Sequence, residues 1–288
     1  MLLDGKVAIV TGSTRGLGRA FAEALAAEGA KVVVNGTNAA LVDEVVAGIG
    51  ENAVGVAGSV SDWATAERLT QTALDRFGRL DVLINNAGIV SDRTLLKMDE
   101  AAFDAVIDVN VKGVFATTRF AAQAMKDGGG GKIVSVVSNS GLRGGFGQTN
   151  YAASKAGVAG MIRTWTMELE RYNIQVNGLW PVAVTDMTRV IIDREQQAAK
   201  AEGREPRTGK EIGLGDVADV AQIVVYLASE LCTLHGQILT CNGTKIALWS
   251  HPDEIVSVVR DHWTPNEIKT EIDASFAPFL QTVGHSLT

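Results

Sequence analysis

The chain has few of the residues that mark disulfide, metal or membrane proteins. Among its 288 residues are only two cysteines, Cys232 and Cys241, without Cys-x-x-Cys spacing, which favours free buried thiols over a disulfide or metal role. The four histidines have neither the paired spacing nor the flanking carboxylates of zinc proteases, so no metal is expected. The purely apolar stretches are far shorter than the ~18 residues that a transmembrane helix needs.

The charge balance gives no excess of basic residues. A net charge of −7 indicates no basic surface for nucleic acid, and the simplest explanation of the negative charge is that it keeps the protein soluble. Asp4 and Lys6 exclude an apolar signal-peptide core at the start of the chain. We therefore expect a cytoplasmic protein that binds neither nucleic acid nor membrane. Hydrophobic residues make up 46% of the chain and no Pro/Gly/Ser linker divides it, which predicts one domain with a sizeable core.

Segments with strand character alternate with segments of helical periodicity. The predicted strands are residues 6–10, 31–35, 53–57, 80–84, 132–137, 174–179 and 237–241. The predicted helices are residues 17–28, 39–48, 63–76, 100–124, 150–170 and 216–229. This alternation implies right-handed crossovers and an α/β fold with a doubly wound parallel sheet of seven strands.

The segment TGSTRGLG at residues 11–18 lies between the first strand and the first helix. Strand, glycine turn and helix in this order place a phosphate at a helix N-terminus. Gly12 can form the tight turn, Gly16 can admit a pyrophosphate, and Gly18 can let the helix pack closely on the sheet. A glycine loop alone can also be no more than a tight connection, but its flanking elements favour nucleotide binding.

Tyr151 and Lys155 are four residues apart in YAASK, and Ser138 precedes Tyr151 by 13 residues. Residues i and i+4 share a helix face, so the phenol and the ammonium can point into one cleft. A neighbouring Lys favours the phenolate, which suits a general acid or base for an alcohol or a carbonyl. In a parallel sheet, ligands bind and reactions occur outside the carboxyl ends of the strands. Ser138 and Asn86 are also predicted to lie there.

Five ordered motifs together resemble the classical short-chain dehydrogenase/reductases. They are TGSTRGLG at 11–18, NNAG at 85–88, Asn110 within DVNVKG, Ser138, and YAASK at 151–155. The resemblance covers residues 1 to about 243 and is closest to the bacterial 3-oxoacyl-thioester reductases. It implies a Rossmann-like domain over 1–243, an NAD(P)-dependent enzyme, and a C-terminal extension over 244–288.

The resemblance also implies a role for each catalytic candidate. Tyr151 would protonate the carbonyl oxygen during reduction, or act as base in the reverse oxidation. Lys155 would bind the nicotinamide ribose and lower the pKa of Tyr151, while Ser138 would hydrogen-bond the substrate oxygen. Asn110 would hold a water that links Lys155 to solvent, although on its own it could simply cap or kink a helix.

The cofactor contacts are likewise implied by the resemblance. They are Gly12, Thr14, Arg15, Gly16, Leu17, Gly18, Thr37, Val60, Asn86, Ala87, Gly88, Tyr151, Lys155, Pro181 and Thr185. After the second strand the chain has no carboxylate to accept bonds from an adenosine ribose, and Arg15 and Thr37 could bind a 2′-phosphate, so NADP is favoured and NAD remains possible. Two departures from the family pattern, Ser59 and Val182, stand where Asp and Gly are usual.

The sequence leaves the substrate open. A 3-oxoacyl or 3-hydroxyacyl thioester is the leading substrate, and a steroid, terpenoid or sugar-like alcohol is the alternative. A third hypothesis is a catalytically silent regulator that binds the cofactor without turnover. The charged stretch 188–214 can be a mobile lid or a solvated helix and loop, and its Lys200, Arg204, Arg207 and Lys210 could meet an acidic carrier or a CoA phosphate.

The last 45 residues, 244–288, contain large apolar side chains that are unusual in a C-terminal tail. Trp249 and Trp263 lie there, and a helix is predicted after Pro265 with Ile268, Ile272 and Phe276 at helical spacing. Such a segment is expected to pack on the body or on a neighbouring subunit, and a homotetramer or homodimer is predicted.

Overall fold

An eight-stranded sheet with the order β3-β2-β1-β4-β5-β6-β7-β8 forms the centre of the computed structural model, which describes residues 1–280. The first seven strands are parallel, and β8 is antiparallel to β7. The strands are β1 Val7–Val10, β2 Lys31–Gly36, β3 Ala53–Ala57, β4 Val82–Asn85, β5 Gly131–Val136, β6 Ile174–Pro181, β7 Ile238–Cys241 and β8 Ile246–Leu248.

Helices cover both faces of this sheet, as parallel strands that are apolar on both sides require. One buried cluster joins the sheet to α1 and α9, and the other joins it to α3, α5 and α7. The α-helices are α1 Gly16–Ala27, α2 Ala39–Ile49, α3 Trp63–Phe77, α4 Glu100–Ile107, α5 Val114–Asp127, α6 Asn139–Arg143, α7 Thr149–Leu169, α8 Arg189–Glu202, α9 Val217–Ala228 and α10 Pro265–Glu271. Within residues 1–280, no helix is both long and apolar enough to span a bilayer.

The doubly wound α/β fold is confirmed, but the predicted count of seven strands is one too low. The eighth strand pairs with β7 in the register Thr240 to Ala247. Only three residues long, it follows a turn in which Asn242 accepts three hydrogen bonds from the residues after it. Such a short strand carries little periodicity, so the sequence gives it no distinct signal. The start of the predicted extension therefore belongs to the sheet.

The single helix predicted over 100–124 is also wrong in detail, because a π-helix over Asp108–Gly113 separates α4 from α5. Asn110 lies in this π-helix with its side chain fully buried. Its Nδ2 donates to Ile89 O at 3.0 Å and its Oδ1 accepts from Ile89 N at 2.9 Å. Single π-helical turns of this kind often mark functional sites.

Trp249 fixes the start of the C-terminal segment to the body. Its ring lies 5.7 Å from that of Trp180, and its Nε1 donates to Thr240 Oγ1 at 2.6 Å. Further along, α10 begins at a capping box between Thr264 and Glu267, in agreement with the helix predicted after Pro265.

The charged stretch 188–214 forms α8 and the loop that follows it. Glu195, only 8% exposed, accepts hydrogen bonds from Arg204 Nη1 at 2.5 Å and from Arg207 Nη2 at 2.8 Å. Both arginines hold the pKa of the Glu195 carboxyl below its ordinary value. Glu202 also accepts a hydrogen bond from Arg204 Nε at 2.6 Å, so two carboxylates offset the charges of the two arginines. These arginines are therefore poor candidates for binding an anionic carrier.

Candidate active site

The glycine loop after β1 is built for close approach of a ligand to the backbone. Gly12 and Gly16 have φ values of +62° and +53°, a region that favours glycine. A Cβ on Gly12 would lie 2.8 Å from the Cα of Ala87, so the loop also needs glycine there for packing. No side chain caps the N-terminus of α1, which leaves the first N–H groups available to a phosphate. The loop thus fits a dinucleotide pyrophosphate.

Two polar side chains, one buried and one partly buried, hold this loop against the ends of β2 and β4. Asn86 donates from Nδ2 to Thr11 O and Gly12 O, both at 3.0 Å. Asn35 accepts from the N–H of Gly12 at 3.2 Å and donates to Val56 O at 3.0 Å. Asn35 is not among the residues that the sequence predicts for the site, although an amide inside the apolar run VVVNG is a signal, since a buried polar side chain needs partners.

The end of β2 lies beside the glycine loop, as a contact to the adenosine end of a cofactor requires. A Cβ on Gly36 would lie 2.4 Å from Thr14 Cγ2, which shows how tightly the two segments pack. Thr37 is exposed just beyond them. The Arg15 side chain is 79% exposed and its Nη1 lies 3.8 Å from Asp186 Oδ2, so it is held only loosely.

The remaining predicted contacts surround the same loop and the ends of β3 and β6. Val60 is buried, and a Cβ on Gly113 would lie 2.7 Å from its Cγ2. Pro181 ends β6, and Thr185 caps the turn after it, with its Cγ2 3.7 Å from the position of a Cβ on Gly16. Thr185 therefore lies over the glycine loop.

Three of the four predicted catalytic side chains meet where β5 ends and α7 begins. Ser138 follows β5 and caps α6, and its hydroxyl hydrogen-bonds the phenol of Tyr151. Lys155 lies one turn further along α7, with Nζ 5.8 Å from the centre of the Tyr151 ring. Lys155 is 3% exposed, and its ammonium donates to Val136 O at 2.7 Å. The i, i+4 spacing thus produces the shared face that the sequence predicts.

Burial changes the proton affinity of both groups. It lowers the pKa of Lys155 from its ordinary value of 10.5 to about 8. Burial also raises the pKa of Tyr151, with a hydrogen bond from Ser138 acting against it and the charge of Asp92 adding to it. This differs from the expectation that Lys155 depresses the pKa of Tyr151. The reason is that desolvation of the phenolate is the largest influence on this phenol.

Asn110 lies close to Lys155 without contacting it through a hydrogen bond between side chains. A Cβ on Gly88 would lie 3.3 Å from Asn110 Oδ1 and 3.6 Å from Lys155 Nζ, so glycine here keeps open the space between them. The Asn110 amide also donates to Ser154 Oγ at 3.1 Å. Because both its amide hydrogens are used by protein acceptors, the Asn110 side chain orders the loop after β4 beside Lys155.

The burial of a charged Lys155 predicts a stability gain on its removal. One pKa unit corresponds to about 1.4 kcal/mol, so the burial of this charge costs about 3 kcal/mol at neutral pH. We expect Lys155→Met to abolish turnover and to raise the free energy of unfolding of the cofactor-free protein. Between pH 8 and 10.5 the unfolded chain binds a proton that the folded wild type lacks, so wild-type stability should rise over this window.

Chemical denaturation of both proteins at pH 7, 8, 9 and 10 measures this difference. The gap between variant and wild type should narrow as the pH rises. A gap that is constant with pH would show that folding does not lower the pKa of Lys155.

The arrangement can support proton transfer to an oxygen that is held by Ser138. A nicotinamide cofactor, when bound, supplies or accepts the hydride, so the protein needs no nucleophile of its own. The phenol, the hydroxyl and the ammonium then provide a proton donor, an oxygen-binding group and a buried positive charge.

Comparison with known proteins agrees with this geometry. The family model described as short chain dehydrogenase matches residues 6–196. The 3-oxoacyl-(acyl-carrier-protein) reductase FabG of Thermotoga maritima is 38% identical over 252 residues, which cover 84% of this chain and 98% of that protein. The hydroxyacyl-CoA dehydrogenase ChsB1 of Mycobacterium tuberculosis is 37% identical, and the match covers 96% of this chain and 90% of the relative.

A solved structure shows the same fold. The crystal structure of a short chain dehydrogenase from Mycobacterium avium superimposes with a TM-score of 0.77 at 37% identity, and the match covers 95% of both chains. Together with the nucleotide-binding loop and the Ser138, Tyr151 and Lys155 cluster, these matches establish the family. The chain belongs to the short-chain dehydrogenases and is an NAD(P)-dependent oxidoreductase that acts on CH–OH groups.

Proposed function

We propose that this enzyme interconverts the ketone of a 3-oxoacyl thioester and the alcohol of a 3-hydroxyacyl thioester. The meeting of Ser138, Tyr151 and Lys155 at the carboxyl end of the sheet carries the proposal. In the direction of reduction, the Ser138 hydroxyl donates a hydrogen bond to the ketone oxygen as negative charge develops on it. Tyr151 then gives its proton to that oxygen, and the raised pKa of Tyr151 keeps this proton in place at neutral pH.

Lys155 serves both the cofactor and the proton balance. Its ammonium lies beside Tyr151, where it stabilises the phenolate that remains after proton transfer. We propose that Lys155 also binds the ribose hydroxyls of the nicotinamide cofactor. The proton that restores Tyr151 passes from the space at Gly88 through Lys155 to the phenolate, and Asn110 forms part of the wall of that space.

The surface beside the site favours an acyl substrate over a sugar-like alcohol. The loop after β4 and the loop before α7 are joined by a hydrogen bond from Arg93 N to Gly147 O at 2.8 Å. They expose Leu95, Leu96 and Phe146, which are 70%, 97% and 95% exposed. Apolar side chains at the rim of a site suit an apolar chain, whereas a sugar would leave its hydroxyls without partners.

The length of the matches favours coenzyme A as the thiol of the ester. The match to the hydroxyacyl-CoA dehydrogenase leaves only about a dozen residues of this chain outside it, so it includes most of residues 244–288. The match to the 3-oxoacyl-(acyl-carrier-protein) reductase covers 84% of the chain. We therefore propose an acyl-CoA substrate.

Nicotinamide absorbance with a panel of ketones tests this function. The panel contains 3-oxoacyl-CoA esters of increasing chain length, the same acyl groups on acyl carrier protein, a ketosteroid and a ketosugar. We expect the highest kcat/KM for a CoA ester. Turnover of the steroid or sugar at a higher kcat/KM than every thioester would contradict the proposal, and no turnover of any ketone would favour a silent cofactor-binding protein.

We also propose that NADP is the preferred cofactor, with Arg15 and Thr37 at its 2′-phosphate. An acidic residue beyond β2 would repel this phosphate and bind the ribose hydroxyls of NAD instead. Gly36→Asp is a poor probe, because its Cβ would clash with Thr14. Thr37→Asp adds the carboxylate at an exposed position without that clash.

We expect Thr37→Asp to lower the ratio of kcat/KM for NADPH to that for NADH by about tenfold or more, which equals about 1.4 kcal/mol. Thr37→Asn, of the same size and without charge, is the control and should change the ratio less. Preference of the wild type for NADH, or an equal ratio in both variants, would contradict this assignment.

A further inference from the structure

A cleft of about 280 Å³ opens at the amino end of the sheet, on the edge opposite to the catalytic side chains. This amino-end cleft lies where β1, β4, β5 and β6 begin, and the glycine run at residues 128–131 forms one of its sides. None of the residues assigned to the cofactor or the substrate line it. Its charged side chains are Lys6, Arg79, Asp81, Lys132 and Glu230.

Lys132 is the cation of the amino-end cleft that lacks a counter-ion. Its Nζ donates to Gln175 Oε1 at 2.6 Å and to Cys232 O at 2.8 Å, and both acceptors are neutral. Within residues 1–280, no carboxylate forms an ion pair with Lys132. Burial is the largest cause of a lowered pKa for Lys132, and the Glu230 carboxylate acts in the opposite direction. A partly buried charge is poorly solvated, so an anion beside this ammonium would stabilise it.

The other two cations of the cleft are paired but keep further N–H groups. Arg79 donates to the Asp81 carboxylate from Nε at 2.8 Å and from Nη2 at 2.6 Å, which leaves Nη1 outside this pair. Lys6 Nζ donates to Glu230 Oε1 at 2.8 Å, which uses one of its three N–H groups. Lys132 likewise has one N–H group beyond the two that it uses. Three cations can therefore donate into the cleft, whereas its two carboxylates already have partners.

We propose that the amino-end cleft binds a phosphate group, either as inorganic phosphate or as the ester of a small organic molecule. Phosphate oxygens accept several charge-assisted hydrogen bonds at once, which suits donors from three cations around one cleft. Three positive and two negative side chains leave an excess of one positive charge for an anion. The volume lies at the low end for ligand sites, so an ester that fits is small. This binding site is independent of the proposed reaction, because it uses no catalytic side chain.

Isothermal titration calorimetry of the full chain saturated with nicotinamide cofactor measures this binding. The cofactor occupies the glycine loop, which is the other place where a phosphate would bind. The ligands are inorganic phosphate, glycerol 3-phosphate and acetate, at an ionic strength held constant with chloride. We expect a Kd on the order of 1 mM for at least one of the two phosphates. Acetate, with two oxygens and one charge, should bind at least about tenfold more weakly.

Three variants locate the binding. Lys132→Met keeps an unbranched side chain but removes the ammonium, and should weaken phosphate binding at least about tenfold. Lys126→Met is the matched control, because Lys126 lies near the end of α5 outside the cleft and its loss changes the net charge equally. We expect it to keep the wild-type Kd. Glu230→Gln removes a negative charge from the cleft and still offers an oxygen to Lys6, so it should tighten phosphate binding about threefold.

Melting temperatures in chloride show which variants are folded, and Glu230→Gln keeps the test decisive if Lys132→Met is not. Tighter binding of glycerol 3-phosphate than of inorganic phosphate would assign the cleft to an organic phosphate, and the reverse order to the free ion. The proposal is wrong if the cofactor-bound wild type binds neither phosphate, or binds acetate equally well. It is also wrong if Glu230→Gln does not tighten binding, or if Lys126→Met weakens it as much as Lys132→Met. Failure of the wild type to reduce any ketone would overturn the proposed function and leave this site standing.

Discussion

Tyr151→Phe should lower kcat at least about 10²-fold while the Kd of the cofactor stays nearly unchanged. Phenylalanine keeps the ring and its packing beside Lys155 but has no proton to give. The Ser138 hydroxyl also loses its phenol partner, although it can still bind the ketone oxygen. Stopped-flow or steady-state measurement of nicotinamide absorbance gives kcat, and cofactor fluorescence gives the Kd.

Tyr172→Phe is the matched control for this variant. Tyr172 follows α7, and the centre of its ring lies 5.1 Å from Lys126 Nζ. Neither Tyr172 nor Lys126 belongs to the site. We expect this control to retain wild-type kcat. Retention of wild-type kcat by Tyr151→Phe would remove Tyr151 from the mechanism.

Removal of the C-terminal segment should change the oligomeric state of the protein. We propose that this segment packs across a subunit interface, because Ile268, Ile272 and Phe279 are 43%, 43% and 48% exposed in one chain. A chain that ends at Ser250 keeps β8 and Trp249, and should dissociate into smaller species while its melting temperature falls only slightly. Sedimentation velocity measures the change.

A chain that ends at Gly243 should behave worse than one that ends at Ser250. It exposes the edge of β7 and uncovers Trp180, and an open strand edge promotes aggregation. We therefore expect aggregation on sedimentation. If the chain that ends at Ser250 sediments like the full chain, the tail is dispensable for assembly. If the chain that ends at Gly243 is as stable as the full chain, β8 contributes nothing to folding.

The sequence predicted the central fold well, because long-range order in this fold follows local patterns. Apolar strands such as Val7–Val10 and the glycine turn after it have strong local signals, and parallel pairing follows from the alternation with helices. The i, i+4 spacing of Tyr151 and Lys155 likewise predicted their shared helix face. These features depend on residues close together in the chain.

Features that depend on distant residues were not predicted. The π-helix around Asn110 is accompanied by hydrogen bonds to Ile89, 21 positions away. The sequence of the π-helix has no periodicity that distinguishes it from an α-helix. The Asp92 to Gln148 bond joins residues 56 positions apart. The raised pKa of Tyr151 depends on how much of the phenol is buried, which a motif does not state.

The fate of the hydride tests the central claim most directly. NADPH deuterated at C4, prepared with the label on either face, is incubated with the 3-oxoacyl-CoA ester that the enzyme reduces fastest. We predict a 3-hydroxyacyl-CoA product that carries one deuterium at C3 from one of the two labelled cofactors, as measured by mass spectrometry. The assignment of this site as a thioester ketone reductase would be contradicted if neither labelled cofactor gave a deuterated product. It would also be contradicted if the cofactor were oxidised without formation of a 3-hydroxyacyl product.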